Sequence, residues 1–145
     1  MFYECYNIKN IDLSSFDSRC VTSTLSMFMY CINLESINLS SFNTRNVKNM
    51  TQMFSYCKRL NNINLSSFDT TNVRSLREMF AYCRCLENID LSSFDITNVH
   101  CILNIFAEIN IDLRIKCTKE FYKKIMDFNE KTVPSALFQT YSIRE

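Results

Sequence analysis

The feature that most constrains this chain is a period of 26 residues. Phe16, Phe42, Phe68 and Phe94 fall 26 residues apart, and Leu13, Leu39, Leu65 and Leu91 keep the same interval. So do Cys5, Cys31, Cys57 and Cys83, and Val21, Val47, Val73 and Val99. Self-similarity at a fixed period marks a repeat architecture, in which each unit is too small to bury its apolar face alone and buries it against its neighbours.

Two patterns alternate within a unit. Val47, Met50, Met53, Phe54, Cys57 and Leu60 lie at spacings of three and four, which predicts a short helix with one apolar face. Asn46, Asn72 and Asn98 precede this run in their units, where an amide can cap the first free N–H groups. Ile63-Asn64-Leu65 then alternates as a half-buried strand does, and Ser66-Ser67-Phe68-Asp69-Thr70 supplies turn residues around an inward Phe. Stacked units would pair like strands in parallel, about 4.7–4.9 Å apart. With no glycine in the chain, the turns are expected to avoid the left-handed backbone and to rely on Asn, Asp and Ser.

The string Met-Phe-x-x-Cys-x-x-Leu-x-x-Ile-Asn-Leu-Ser-x-Phe-Asp/Asn-Thr-x-x-Val, carried most fully by residues 53–73, resembles the bacterial surface protein 26-residue repeat, the BspA-like branch of the leucine-rich repeats. The resemblance covers about residues 1–106. It implies an α/β repeat solenoid: a right-handed, leucine-rich-repeat-like stack of 26-residue coils, each with a short parallel strand and a short helix. It also implies surface display, with adhesion or other protein recognition as the role and no catalytic residues or cofactor to carry over. No signal peptide precedes the repeat sequence that begins at Met1, which departs from what surface display needs and leaves two expectations: a fragment of a longer chain, or an intracellular protein despite the resemblance.

The 145 residues divide into a solenoid over 1–117, with four to five coils, and a C-terminal helical cap over 118–145. Coil strands centre on Ile11, Ile37, Ile63 and Ile89. The fifth coil is degenerate. One frame puts Ile115-Lys116-Cys117 on the strand and needs no deletion; the rival uses Ile109 to Leu113. Thr24 holds the slot that Met50 and Leu76 fill, with Leu25 expected to turn inward in its place. After Cys117, Thr118 can cap a helix whose stripe is Phe121, Tyr122, Ile125 and Met126, and Pro134 can open a second one carrying Leu137, Phe138 and Tyr141. The N-terminal coil has no such cover, and an uncovered strand edge invites end-to-end self-association.

The formal net charge of +1 favours neither nucleic acid nor an anionic membrane, and no apolar run reaches membrane-spanning length. Equivalent cysteines in stacked coils point in parallel, so Cys5, Cys31, Cys57 and Cys83 are expected as buried thiols rather than disulfides; Ile109 takes the same slot in coil five. Cys20, Cys85 and Cys101 occupy slots that are polar in sister coils and should be more exposed. Cys85, His100 and Cys101 form a remote alternative, a zinc-binding module.

The single histidine, His100, and the scattered carboxylates do not resemble converging catalytic groups. Asp17, Asp69 and Asp95 share a turn slot with Asn43, which argues for turn hydrogen bonding. A non-enzymatic binding module remains, with an unidentified protein partner. Its candidate face comprises Asn38, Asn62, Asn64, Asn88 and Asp90 on the outward strand positions, in columns running from Asn10 and Asp12 to Arg114 and Lys116, and the tyrosine ladder with Tyr56 and Tyr82. Rings lying flat between coils would make that ladder packing instead. A structural spacer is the alternative role, and a Ser18, Thr44, Thr70 ladder broken by Ile96 leaves lattice binding as a minor one.

Overall fold

Phenylalanines spaced 26 residues apart stand in single file. In the computed structural model, which describes residues 1–129 and 134–140, the rings of Phe16, Phe42, Phe68 and Phe94 stack at centroid separations of 6.0, 6.2 and 6.4 Å. A second file, Phe2, Phe28, Phe54, Phe80 and Phe106, stacks at 5.3, 5.3, 5.7 and 5.8 Å. Between the files lie the leucines, valines and methionines of the ladders, most of them fully buried. This is a repeat fold whose units complete one another's interior.

The strands are short. β1 (Asn10–Asp12) pairs in parallel with β2 (Ser36–Asn38), and β3 (Asn88–Asp90) pairs in parallel with β4 (Arg114–Cys117). Each register is one period, Ile11 opposite Ile37 and Ile89 opposite Ile115. The fifth coil therefore uses the frame without a deletion.

The helix expected in each coil is absent among the described residues of the repeats; the run is a ribbon of turns. Met53, Ser55 and Cys57 N–H donate three residues back, to Met50, Gln52 and Phe54, while Gln52, Phe54 and Tyr56 N–H donate to Arg77, Met79 and Ala81 of the next coil. Helix axes pack 8–10 Å apart, whereas coils joined by backbone bonds stand at strand spacing. A helix would keep its N–H groups within its own coil; the ribbon sends alternate ones along the stack. With no helix to cap, the Asn46, Asn72 and Asn98 amides instead donate to Arg19, Arg45 and Thr71 carbonyls one coil earlier, at 2.9, 2.9 and 2.8 Å.

The ribbon also overturns the expectation drawn from the missing glycines. Among the described residues nine non-glycine residues have positive φ, falling in two columns: Ser26, Gln52, Glu78 and Asn104, and Glu4, Tyr30, Tyr56, Tyr82 and Glu108. The N–H groups of Glu4, Ser26, Tyr30, Gln52, Tyr56, Glu78 and Tyr82 each donate to a carbonyl of the next coil, which holds these residues where an isolated turn would favour glycine. Leu25 is likewise not turned inward: it is 52% exposed, and Thr24 is buried, with its hydroxyl on Asn49 carbonyl at 3.4 Å.

After β4, α1 (Lys119–Asn129) starts at Thr118, whose Oγ1 accepts Phe121 N–H at 3.1 Å. Phe121 and Ile125 are buried in the common core. The second helix shrinks to a single 3-10 turn, Ser135–Leu137, followed by β5 (Phe138–Thr140), which pairs in parallel with β4. The free edge of β4 offers backbone partners that a second helix would leave unmet. Tyr141, expected on that helix, lies outside the described residues.

Candidate functional site

The outward strand positions form two exposed columns. In the first, Ser36 hydroxyl donates to Asn10 at 2.6 Å; in the second, Asn38 amide donates to Asp12 at 3.0 Å and Lys116 ammonium to Asp90 at 2.8 Å. The same side chains shape their own coils. Asp12, Asn38, Asn64 and Asp90 each accept the N–H two residues on, from Ser14, Ser40, Ser66 and Ser92 at 2.8–3.1 Å. Ser14 N–H holds Asp12 below the usual carboxylate range; burial pushes Asp90 up, but bonds from Lys116 and Ser92 outweigh it and hold it low. The turn-slot residues Asp17, Asn43, Asp69 and Asp95 do the same at the next corner, onto Arg19, Arg45, Thr71 and Thr97 N–H.

The columns do not run unbroken. Leu13 N–H donates to Asn38 carbonyl and Leu91 N–H to Lys116 carbonyl. Among the described residues the two bonds between, from Leu39 to Asn64 and from Leu65 to Asp90, are not made. Residues 62–64 thus lie between two separate sheets; among the described residues a bridge from Asn62 to Asn88 and the Ser67 hydroxyl on Leu39 carbonyl at 2.9 Å join this side of coil three to its neighbours. Asn62 amide turns to Asn61 at 2.9 Å, and among the described residues Asn64 makes no side-chain bond to a neighbouring coil. A cleft of about 300 Å3 opens there, lined by Ile63, Asn64, Leu65, Ser66, Asp90, Ser92 and Ser93. A second, of about 330 Å3, shares Ile63 and Asp90 with it and reaches Arg114 and Lys116.

Tyr56 and Tyr82 stand on the ribbon side, away from this face. Tyr30, Tyr56 and Tyr82 stack at 4.5 and 4.1 Å and are half-buried, so their rings lie flat between coils. Hydrogen bonding to Tyr82, with burial, pushes the Tyr56 hydroxyl up to about 12. The rings pack on one another from coil to coil, with their half-buried edges on the ribbon side.

All eight cysteines are free thiols; Cys31, Cys57 and Cys83 are buried, and Cys20 and Cys85 exposed. Sequence reasoning took the buried slot as small and apolar and missed its polar half. Each thiol donates to a carbonyl one coil earlier: Cys31 to Phe2 at 3.0 Å, Cys57 to Phe28 and Cys83 to Phe54 at 3.2 Å. It also missed a buried hydroxyl staple. Ser18 accepts Asn43 N–H, Thr44 donates to Asp69 carbonyl and Thr70 to Asp95 carbonyl. These groups are 1–2% exposed, so they present nothing to a lattice. Cys85, His100 and Cys101 are not brought together, and among the described residues no three His, Cys, Asp or Glu side chains are placed to hold a metal ion. Cys85 sits by the strand side among Glu35, Arg59 and Glu87, whereas Cys101 pairs with Ser75 on the ribbon side, so the coil separates the supposed ligands.

Residues 1–116 match the family described as "Mycoplasma protein of unknown function, DUF285". No curated protein and no solved structure matches the chain.

Proposed function

The chain belongs to that repeat family, and from this premise we propose that it is a non-enzymatic protein-recognition module, adhesion-like in kind, that binds through the strand face of a solenoid. The observation that carries the reading is the pair of exposed columns, Asn10 to Arg114 and Asp12 to Lys116, set side by side by stacked coils. Solenoids commonly bind through such extended faces. The finer architecture is a right-handed, BspA-like stack, since parallel strands joined by crossovers are right-handed in almost all folds. Residues 118–145 act as its cap, supported by Phe121 against Phe94 and by Lys124 ammonium on Ile96 carbonyl. Among the described residues no helix is long and apolar enough to cross a membrane.

The test is the triple substitution Asn38→Lys, Asn64→Lys and Asp90→Lys. Loss of the proteins retained from a source extract by the immobilised chain, with the far-ultraviolet spectrum unchanged, supports recognition through this face. Unchanged retention sinks it. One observation favours the spacer reading instead: Asn38, Asn64 and Asp90 each bind the turn of their own coil, so their polarity already has a structural use. A spacer retains nothing in either form. The half-covered first coil also supports end-to-end self-association of this chain; a sedimentation coefficient independent of concentration would rule that out.

A further inference from the structure

The seam at residues 62–65 is where the face has binding capacity that the fold itself does not use. By the register of the neighbouring coils, where Leu13 meets Asn38 and Leu91 meets Lys116, Leu65 N–H and Asp90 C=O are the pair that would close the coil-three/coil-four boundary. They make no bond, and the cleft of about 300 Å3 lies at that point, with both residues in its lining. A donor and an acceptor left side by side at a cleft call for a group that is both acceptor and donor. Ser66, Ser92 and Ser93 add exposed lining on one side, and Ile63 and Leu65 an apolar floor.

Charge narrows the choice. The Asp90 carboxylate already takes Ser92 N–H at 2.9 Å and Lys116 ammonium at 2.8 Å, so it seeks no cation. Arg114 and Lys116, at the far end of the adjoining cleft, are offset by Asp90 there and by Glu87 and Asp112 beside Arg114. Size narrows it further, because a whole inserted strand would need about 4.7–4.9 Å on each side and would force the coils apart. A single side chain would not.

We propose that this seam is the specificity point of the strand face, and that it takes the uncharged carboxamide side chain, Asn or Gln, of a protein partner. The carboxamide oxygen accepts from Leu65 N–H, its NH2 donates to Asp90 carbonyl, and its methylenes lie on Ile63. The inference rests on the recognition reading given above.

The experiment is a titration of the 15N-labelled 145-residue chain with three capped tripeptides, Ala-Gln-Ala, Ala-Glu-Ala and Ala-Leu-Ala. Saturable amide shifts centred on Asn64, Leu65 and Asp90 are expected with the Gln peptide, at least about tenfold weaker with the other two. They should vanish in Ser93→Trp, which fills the cleft from an exposed position. Equal response to the Leu peptide, shifts that persist in Ser93→Trp, or no saturable shift with the Gln peptide would each overturn the proposal. The two readings fail separately. If the triple lysine variant loses partner retention while Ser93→Trp keeps it, the face binds but the seam does not select; if neither loses it, the face reading has failed.

Discussion

The two ends of the stack meet the same problem differently. At the C-terminal end, Phe94 is met edge-on by Phe121 at 6.4 Å and Phe106 by Phe138 at 6.5 Å. Perpendicular rings stop the files, β5 covers the edge of β4, and Lys124 takes the carbonyl of Ile96. At the N-terminal end the files stop at Phe2, Phe16 and Tyr3, and their outer faces have no ring against them among the described residues. Phe2 and Phe16 are half-buried and Tyr3 is 49% exposed, where their sisters inside the stack are at most half-buried. A coil's stability therefore depends on its position, because its core is half its own and half its neighbour's.

The largest test of this comparison lies in the Phe16 file. Phe68→Ala, in coil three, removes a ring sandwiched between two others and should cost about 3–5 kcal/mol. Phe16→Ala, with one ring neighbour and a half-exposed site, should cost less than half as much. Urea denaturation of both variants decides it, and equal losses would mean that something covers Phe16 in solution. Next come the end residues themselves. Phe121→Ala should cost about 3 kcal/mol, because it opens a fully buried site. Phe2→Ala at the open end should cost about 1 kcal/mol. A reversed order would refute the capping role proposed for residues 118–145.

The thiol ladder offers a third test, and pH is the lever. Burial pushes Cys31 up to about 11 and Cys83 up to about 12, against an ordinary value of 9.0. The folded state therefore holds its protons more tightly than the unfolded one. Stability from this source is complete below pH 9 and falls as pH rises toward about 12. Thermal melts between pH 8 and 11 should drop in the wild type and flatten in Cys83→Ala, which is fully inside; Cys31→Ala, nearer the open end, should flatten less. A smaller effect is expected at Ser55, whose buried hydroxyl has no partner and whose sister slots hold Ala81 and Ala107. Ser55→Ala should raise stability by about 1 kcal/mol, judged by the urea midpoint.

The sequence made the stacking legible because its ladders are side-chain ladders, and side chains are what a sequence displays. Phe42, Leu39 and Val47 were placed by period alone, and so was the register of the strands that form, down to Ile115 in the degenerate coil; the strand expected at Ile63 does not form, because coil three keeps only the bridge from Asn62 to Asn88. The ribbon was not legible. Spacings of three and four fit a helix, and they fit equally a run of turns closing three residues back, as Cys57 on Phe54 does. What separates the two is the destination of the alternate N–H groups, a relation between coils that no single unit shows. The face was half legible: Asn38, Asn64 and Asp90 were placed as outward, while their bonds to their own turns and the seam beside Leu65 depend on backbone detail.

The smallest expected effect tests whether that ribbon is the same at both ends. Glu4 at the open end and Glu108 near the closed end occupy one column, with φ of 58° and 54°. Left-handed backbone costs a residue with a Cβ roughly 1–2 kcal/mol, and glycine gives back about 0.5–1 kcal/mol through its freer unfolded chain. Glu4→Gly and Glu108→Gly should therefore each gain about 0.5–1 kcal/mol by urea titration. The gains should be alike, because the bond from Glu4 N–H to Met29 carbonyl fixes the first coil as the Tyr82 bond to Ala107 fixes a later one. If Glu108→Gly stabilises and Glu4→Gly does nothing, the first coil does not hold its turn in solution. The difference between the ends would then lie in backbone order as well as in covered area.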